Sequence, residues 1–321
     1  MRCVALVVAL ASAAPAAIQG RLVNGTSGQP LAGAPVTLVR MSSGGREPIA
    51  TLTTDSQGRF DFETTPDAVH YLLEAQFDGV TYTRMVDPRQ PTQTIELIVY
   101  SATRRASSAR LTQRMVFLEP EADRLRVTET WLFRNDGRLT WLDPTETFRF
   151  YLPAEAGSKP SLMVTGPGSV PVPRSAEAVP GTRFFRVSYP IKPGETRFDI
   201  IYALPTPKAF ATRMPYPGVP TRLIVPAGVK LSGEDLESLG PDPSGRATIF
   251  EIKGRREFAL QVQGAGSLGA SEAERGPQLN EILPPIYDHL AWILAPAIGA
   301  LLFGFILLFR TSPRTGGQSR P

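Results

Sequence analysis

The sequence predicts an all-β protein: two β-sandwich domains followed by one transmembrane α-helix. Three observations carry this reading. The 31 prolines and 28 glycines are spread along 321 residues, which cuts the chain into short elements. Between these breakers apolar residues recur with period two, the spacing of a strand with one buried face. One stretch, residues 290–309, is instead apolar without interruption.

Residues 1–17, MRCVALVVALASAAPAA, place one Arg before a short apolar run and then small residues. This is the three-part form of a secretory signal peptide, with Ala11-Ser12-Ala13 or Ala14-Pro15-Ala16 as cleavage triplets. The run is too short to span a bilayer. Cys3 is the single cysteine, so cleavage leaves a mature chain without any.

Residues 18–100 read as a first sandwich of seven short strands, near 18–23, 36–39, 51–54, 59–62, 71–77, 80–85 and 95–99. Asp55-Ser56-Gln57-Gly58 is a polar turn ending in Gly. Tyr71, Leu73, Ala75 and Phe77 share one face, which sends His70, Leu72, Glu74 and Gln76 to the other, solvent-facing side. Asn24-Gly25-Thr26 fits either an N-glycosylation acceptor or an ordinary Asn-Gly turn. The spaced motifs Ile18-x-Gly20, Gly28-Gln29-Pro30-Leu31-Ala32-Gly33-Ala34-x-Val36-x-Leu38, Thr54-Asp55-x-x-Gly58-x-Phe60-x-Phe62 and Tyr71-x-Leu73 occur in order. This quarter of the chain resembles a carboxypeptidase regulatory-like domain. The resemblance implies a transthyretin-like sandwich related in fold to carbohydrate-binding modules. It does not imply peptidase chemistry, because a zinc carboxypeptidase needs H-x-x-E and a third His. His70 and Glu74 are one residue too far apart, and His289, the only other histidine, adjoins the apolar stretch.

Residues 101–110 read as a linker carrying Arg104, Arg105 and Arg110, and residues 111–263 as a second sandwich of Ig-like build with eight or nine strands. Its clearest strand, 125–135, alternates Leu125, Val127, Trp131 and Phe133 on one face with Arg126, Thr128, Thr130 and Arg134 on the other. Glu129 falls on the apolar face. A buried carboxylate must be paired, hydrogen-bonded or protonated. One reading makes Glu129 a functional acid or ligand contact. The other makes it the partner of an Arg on a neighbouring strand, or turns it outward at a β-bulge.

Residues 264–289 are Gly-, Ser- and Glu-rich and end near Pro284-Pro285, as a juxtamembrane stalk does. Residues 290–309, LAWILAPAIGALLFGFILLF, carry no charge. Twenty helical residues cover the ~30 Å hydrocarbon core, so this segment is expected to contact the lipid bilayer. Arg310, Arg314 and Arg320 follow in a short tail (310–321), which the positive-inside rule puts in the cytoplasm. Ala295/Gly299 and Ala300/Gly304 repeat small residues four apart. This allows a helix-mediated oligomer, or merely reflects how common Ala and Gly are in membrane helices.

The formal charge of +4 comes from position. Without Arg2, Arg310, Arg314 and Arg320 the chain holds 30 basic and 30 acidic residues, so no broad basic face for nucleic acid is expected. Two histidines and one cysteine exclude Cys-rich and three-His zinc sites. No dinucleotide fingerprint, Walker loop, G-x-S-x-G elbow or calcium loop occurs, and no cofactor or metal is expected. Only five of the 34 basic residues are Lys, a skew typical of GC-rich bacterial genomes. The expectation is a non-enzymatic, single-pass bacterial inner-membrane protein. Its periplasmic sandwiches would serve as a binding or scaffold module for a protein partner. The runner-up is a carbohydrate- or cell-wall-binding module, for which Tyr82, Tyr100 and Trp141 are the aromatic candidates. A hydrolase using Glu129 ranks third.

Overall fold

A computed structural model describes residues 16–42, 45–64, 70–87, 94–106, 108–157, 159–205 and 209–268. Residues 1–15 of the expected signal peptide, most of the stalk, the span at 290–309 and the arginine tail lie outside the described residues, while Ala16 and Ala17, the last two residues of the expected signal, form the start of a strand paired with Thr64 and Glu63. Within them the fold is all-β, with no α-helix and one 3₁₀ turn, Ala154–Ala156. No helix there is long and apolar enough to cross a membrane.

The first part contains β1 (Ala16–Asn24), β2 (Gln29–Pro30), β3 (Pro35–Ser42), β4 (Gly45–Thr53), β5 (Arg59–Thr64), β6 (His70–Phe77), β7 (Val80–Val86) and β8 (Ile95–Val99). One sheet has the order β2-β1-β5, with β8 joining β1 in parallel. The other runs β4-β3-β6-β7, antiparallel throughout. The apolar alternation meets between them: Ile18, Leu22, Val36, Leu38, Phe60, Phe62, Tyr71, Leu73, Leu97 and Val99 form one buried cluster. The close approach of β1 to β5 and β8 depends on Gly20. A Cβ there would run into the Phe60 ring and lie 2.6 Å from the Ile95 carbonyl oxygen. The turn at Asp55 is built as expected. Its carboxylate accepts the backbone N–H groups of Gln57 and Arg59, each at 2.8 Å, and Gly58 adopts φ +73°. One face assignment is corrected. His70 and Gln76 are exposed, but Leu72 is 6% exposed, buried beside its cross-strand partner Val39.

The second part comprises β9 (Ala102–Thr103), β10 (Ala109–Pro120), β11 (Arg124–Asn135), β12 (Thr140–Trp141), β13 (Phe148–Tyr151), β14 (Ser161–Thr165), β15 (Val172–Pro173), β16 (Glu177–Ala178), β17 (Phe184–Val187) and β18 (Gly194–Pro205). It continues with β19 (Ala209–Arg213), β20 (Thr221–Pro226), β21 (Lys230–Ser232), β22 (Leu236–Pro241), β23 (Ala247–Ile252) and β24 (Glu257–Gln263). An eight-stranded sheet, β15-β14-β18-β11-β10-β20-β23-β22, is its backbone. Three-stranded sheets β13-β17-β16 and β19-β24-β21 supply further layers. Val116, Leu118, Val127, Trp131, Phe133, Phe148, Phe198 and Phe210 belong to a second buried cluster. Its aromatic centre is dense, with Phe148 and Phe198 centroids 4.4 Å apart and Phe133 edge-on to Phe148 at 5.8 Å.

This region is larger than the eight or nine strands expected. The principal omission is β10. Its register slips at a bulge between Leu111 and Gln113, and one of its inward positions holds Arg114, so a period-two apolar count passes over it. The expected linker 101–110 is also partly structured: β9 pairs in parallel with β12, and β10 begins at Ala109.

Candidate functional site

Glu129 is placed by β11 on the inner face of the eight-stranded sheet. It lies opposite Val116 of β10 on one side and Ile200 of β18 on the other. The side-chain relation that matters is diagonal. Arg114 stands opposite Trp131 and Tyr202 opposite Val127, each one same-face step from Glu129. Glu129 and Arg114 are both fully buried. Glu129 Oε2 accepts Arg114 Nη2 at 2.9 Å, Arg114 Nε at 3.3 Å and the Trp131 indole N–H at 3.1 Å, while Oε1 accepts the Tyr202 hydroxyl at 2.7 Å. Arg114 Nη2 also donates to Thr212 Oγ1 of β19, at 2.8 Å, tying the eight-stranded sheet to the layer that faces it. Its guanidinium carbon lies 4.6 Å from the Trp131 ring centroid. Burial, helped by the Glu129 charge, raises Tyr202 well above the ordinary tyrosine value, so it remains a donor.

Four donors from three side chains converge on this one carboxylate. No Ser, Cys, His or second carboxylate touches it among the described residues. The arrangement resembles the neighbouring-Arg alternative read from sequence, with no bulge at Glu129. Arg114 Nη1 alone remains without an acceptor.

A second polar cluster lies where the two cores meet, inside one compact unit. The Tyr82 hydroxyl donates to the Tyr100 carbonyl at 2.7 Å and receives the Thr140 hydroxyl at 2.7 Å. Lys192 Nζ donates to the Thr81 carbonyl at 2.6 Å and sits 5.0 Å from the Tyr82 ring centroid. Thr26 Oγ1 donates to the Arg138 carbonyl at 2.6 Å and accepts the Ser101 N–H at 2.9 Å. Burial lowers Lys192 to about 8, with the Arg174 charge adding repulsion.

These contacts reassign several residues. Tyr82 is 3% exposed, and Trp141 packs beside Phe133 with its indole N–H enclosed. With the Tyr100 ring tilted against Tyr82 at a centroid distance of 6.2 Å, the three aromatics serve the junction instead of forming an exposed sugar platform. Asn24 Oδ1 accepts the Thr26 N–H at 2.9 Å, an Asx turn whose Thr is engaged at the junction. His70 is exposed, Glu74 is bonded by Arg46, and among the described residues no His/Cys/Asp/Glu group could hold a metal ion. Ala295, Gly299, Ala300, Gly304, Arg310, Arg314 and Arg320 lie outside the described residues. Sequence reasoning missed Arg114, Tyr202, Thr212 and Lys192. For Arg114 and Tyr202 the only signal was Glu129 itself, which required a donor from somewhere; nothing in the sequence pointed to Lys192, which serves the Thr81 carbonyl.

Among solved structures, an M1 zinc metallopeptidase from Deinococcus radiodurans is similar at 12% identity and a TM-score of 0.27, over 48% of this chain and 42% of that one. A mutant of that enzyme bound to a Tyr-Ser-Ala substrate gives 12% and 0.27 over 49% and 42%. A two-domain M1 zinc metallopeptidase mutant bound to L-arginine gives 13% and 0.26 over 48% and 42%. The chain thus spans under half the length of these proteins, and superpositions of this quality transfer neither fold nor chemistry. Curated protein sequences contain no match to the chain. The carboxypeptidase regulatory-like family model matches residues 17–97, the stretch whose motifs and two-sheet core are described above. Residues 17–97 are a carboxypeptidase regulatory-like β-sandwich domain.

Proposed function

We propose that the chain is a non-enzymatic, single-pass envelope protein of a bacterium. Its β-sandwiches stand on the extracytoplasmic side as a binding or scaffold module, and residues 290–309 anchor it. The observation that carries the non-enzymatic part is the use made of the one suspicious acid. Glu129 has four donors, no exposure and no reacting group beside it, so it holds strands together. The matched domain adds a sandwich without catalytic residues of its own. The membrane part rests on sequence: an export signal at one end, and an uncharged 20-residue stretch followed by Arg310, Arg314 and Arg320 at the other.

Cysteine labelling tests the topology cleanly, because Cys3 is the only native thiol and leaves with the signal. Gln57→Cys, on an exposed turn, should react with a membrane-impermeant maleimide in intact spheroplasts. Ser312→Cys should react only after lysis. The reverse pattern, or a persistent Cys3 adduct in the mature protein, removes the reading.

A further inference from the structure

We propose that residues 264–268, the first five of the expected stalk, are a latched strap. Glu119 holds the departing chain against the second sandwich, and its release lengthens the tether. The latch stands on contacts among the described residues, and its use as a tether rests on the envelope reading above.

The strap crosses from one layer of the sandwich to another. β24 ends at Gln263 in a three-stranded sheet, whereas β10 ends at Pro120 in the eight-stranded sheet. Between them the chain passes over the turn that follows β20. Gly264 takes φ +106°, and a Cβ there would lie 3.1 Å from the Gly228 carbonyl oxygen. A Cβ on Gly266 would come within 2.8 Å of Pro226 Cβ. So close a path needs glycine at both positions. The Gly266 N–H then donates to the Pro120 carbonyl at 3.2 Å. Glu119, 9% exposed, closes the latch. Its Oε1 accepts the Ser267 hydroxyl at 3.1 Å and the Leu268 N–H at 2.7 Å. Bonds to a carboxylate are charge-assisted and stronger than neutral ones. Leu268 also has an apolar seat. It bounds a depression of about 260 Å³ that Phe117, Thr128 and Ile224 line, and Phe117 stands in register with the other two across the large sheet.

The strap joins no sheet and is fixed at few points, so it can open without breaking the strands on either side. Its five residues span at most about 17 Å when extended. That is the reach the sandwiches gain from an anchor at 290–309 when Glu119 lets go.

Hydrogen exchange with mass spectrometry, on the full chain in detergent, reads the latch. Glu119→Ala should speed exchange at 264–268 about 10- to 100-fold, the range for losing a hydrogen bond to a charged group. β10 and β24 should stay within about twofold of wild type, because the opening is local. Glu119→Gln keeps an acceptor oxygen and should retain most of the protection. Gly266→Ala leaves Glu119 intact but forces the strap off Pro226, and should open it as Glu119→Ala does. Unchanged exchange in Glu119→Ala, or equal acceleration throughout β10 and β24, overturns the proposal. After reconstitution in vesicles, energy transfer from a dye on Gln57→Cys to an acceptor lipid reads the lengthening. Transfer should fall when Glu119→Ala or Gly266→Ala is added, and equal transfer with and without them overturns the tether role. A chain that stays out of vesicles yet shows the exchange pattern would reject the envelope reading and leave the latch. One that inserts with 264–268 unprotected would do the reverse.

Discussion

Replacing Glu129 by Gln removes one charge and converts an acceptor into a donor in a site where four donors converge. The amide keeps one oxygen, so its NH₂ faces either Arg114 and Trp131, which are donors only, or the Tyr202 hydroxyl, which can accept it only by turning its own proton away from the site. Arg114, with no exposure, is then an uncompensated buried cation. Breaking a buried pair from one side costs about 3–5 kcal/mol. For a protein of this size each kcal/mol lowers Tm by about 2–4 °C, so Glu129→Gln should melt roughly 6–20 °C below wild type. Calorimetry or near-UV circular dichroism reads this directly. The paired control is Arg114→Met with Glu129→Leu, which removes both charges and refills the space with apolar atoms. Such replacements are often neutral or stabilising, so the double variant should recover most of the loss. A Tm for Glu129→Gln within 2 °C of wild type, or a double variant as unstable as the two singles summed, would refute the argument that this pair is a desolvated lock between strands.

Tyr82→Phe should cost about 1–3 kcal/mol, since it leaves the Thr140 hydroxyl and Tyr100 carbonyl short of a partner, with faster hydrogen exchange at the Thr140 and Leu142 amides as the local readout. Lys192 makes stability rise with pH. Its folded value, about 8, lies below the free value of 10.5, so between them the unfolded chain binds more protons. The penalty for burying the charged amine is complete below about pH 8 and is relieved above it. Urea unfolding should therefore show a gain on the order of 2 kcal/mol from pH 7 to 10 that Lys192→Met abolishes. Gly20→Ala should destabilise the first sandwich by about 1–3 kcal/mol, because the new Cβ meets backbone at Ile95 that cannot rotate away, and thermal melts of the variant would show it.

The first domain was legible because its information is local. Turns such as Asp55–Gly58 close over four residues, and the apolar faces of β5 and β6 follow from alternation, apart from Leu72, which is buried on the face alternation gave to solvent. The second was legible only where alternation was clean. β11 could be read end to end, whereas β10 was hidden by its bulge and by Arg114 at an inward position. Glu129 was conspicuous as an acid on an apolar face, but nothing in its neighbourhood of the chain named its partners. Arg114 is 15 residues away and Tyr202 is 73, while Thr212 lies 98 from Arg114.

By itself the sequence determined the all-β character, the regulatory-like motifs in residues 17–97, and the scarcity of histidine and cysteine that bounds the metal chemistry open to the chain. These depend on residue type and spacing along one strand or turn. The tertiary structure decided which strands are neighbours. That choice pairs Glu129 with Arg114, draws Tyr82, Tyr100 and Trp141 into a junction, and brings Lys192 to a carbonyl 111 residues distant. It also turned a segment read as linker into strand pairing between β9 and β12. Period-two patterning says which face of a strand is buried. It is silent on the partner across the sheet, which is set by packing many faces at once and leaves no mark on any single segment.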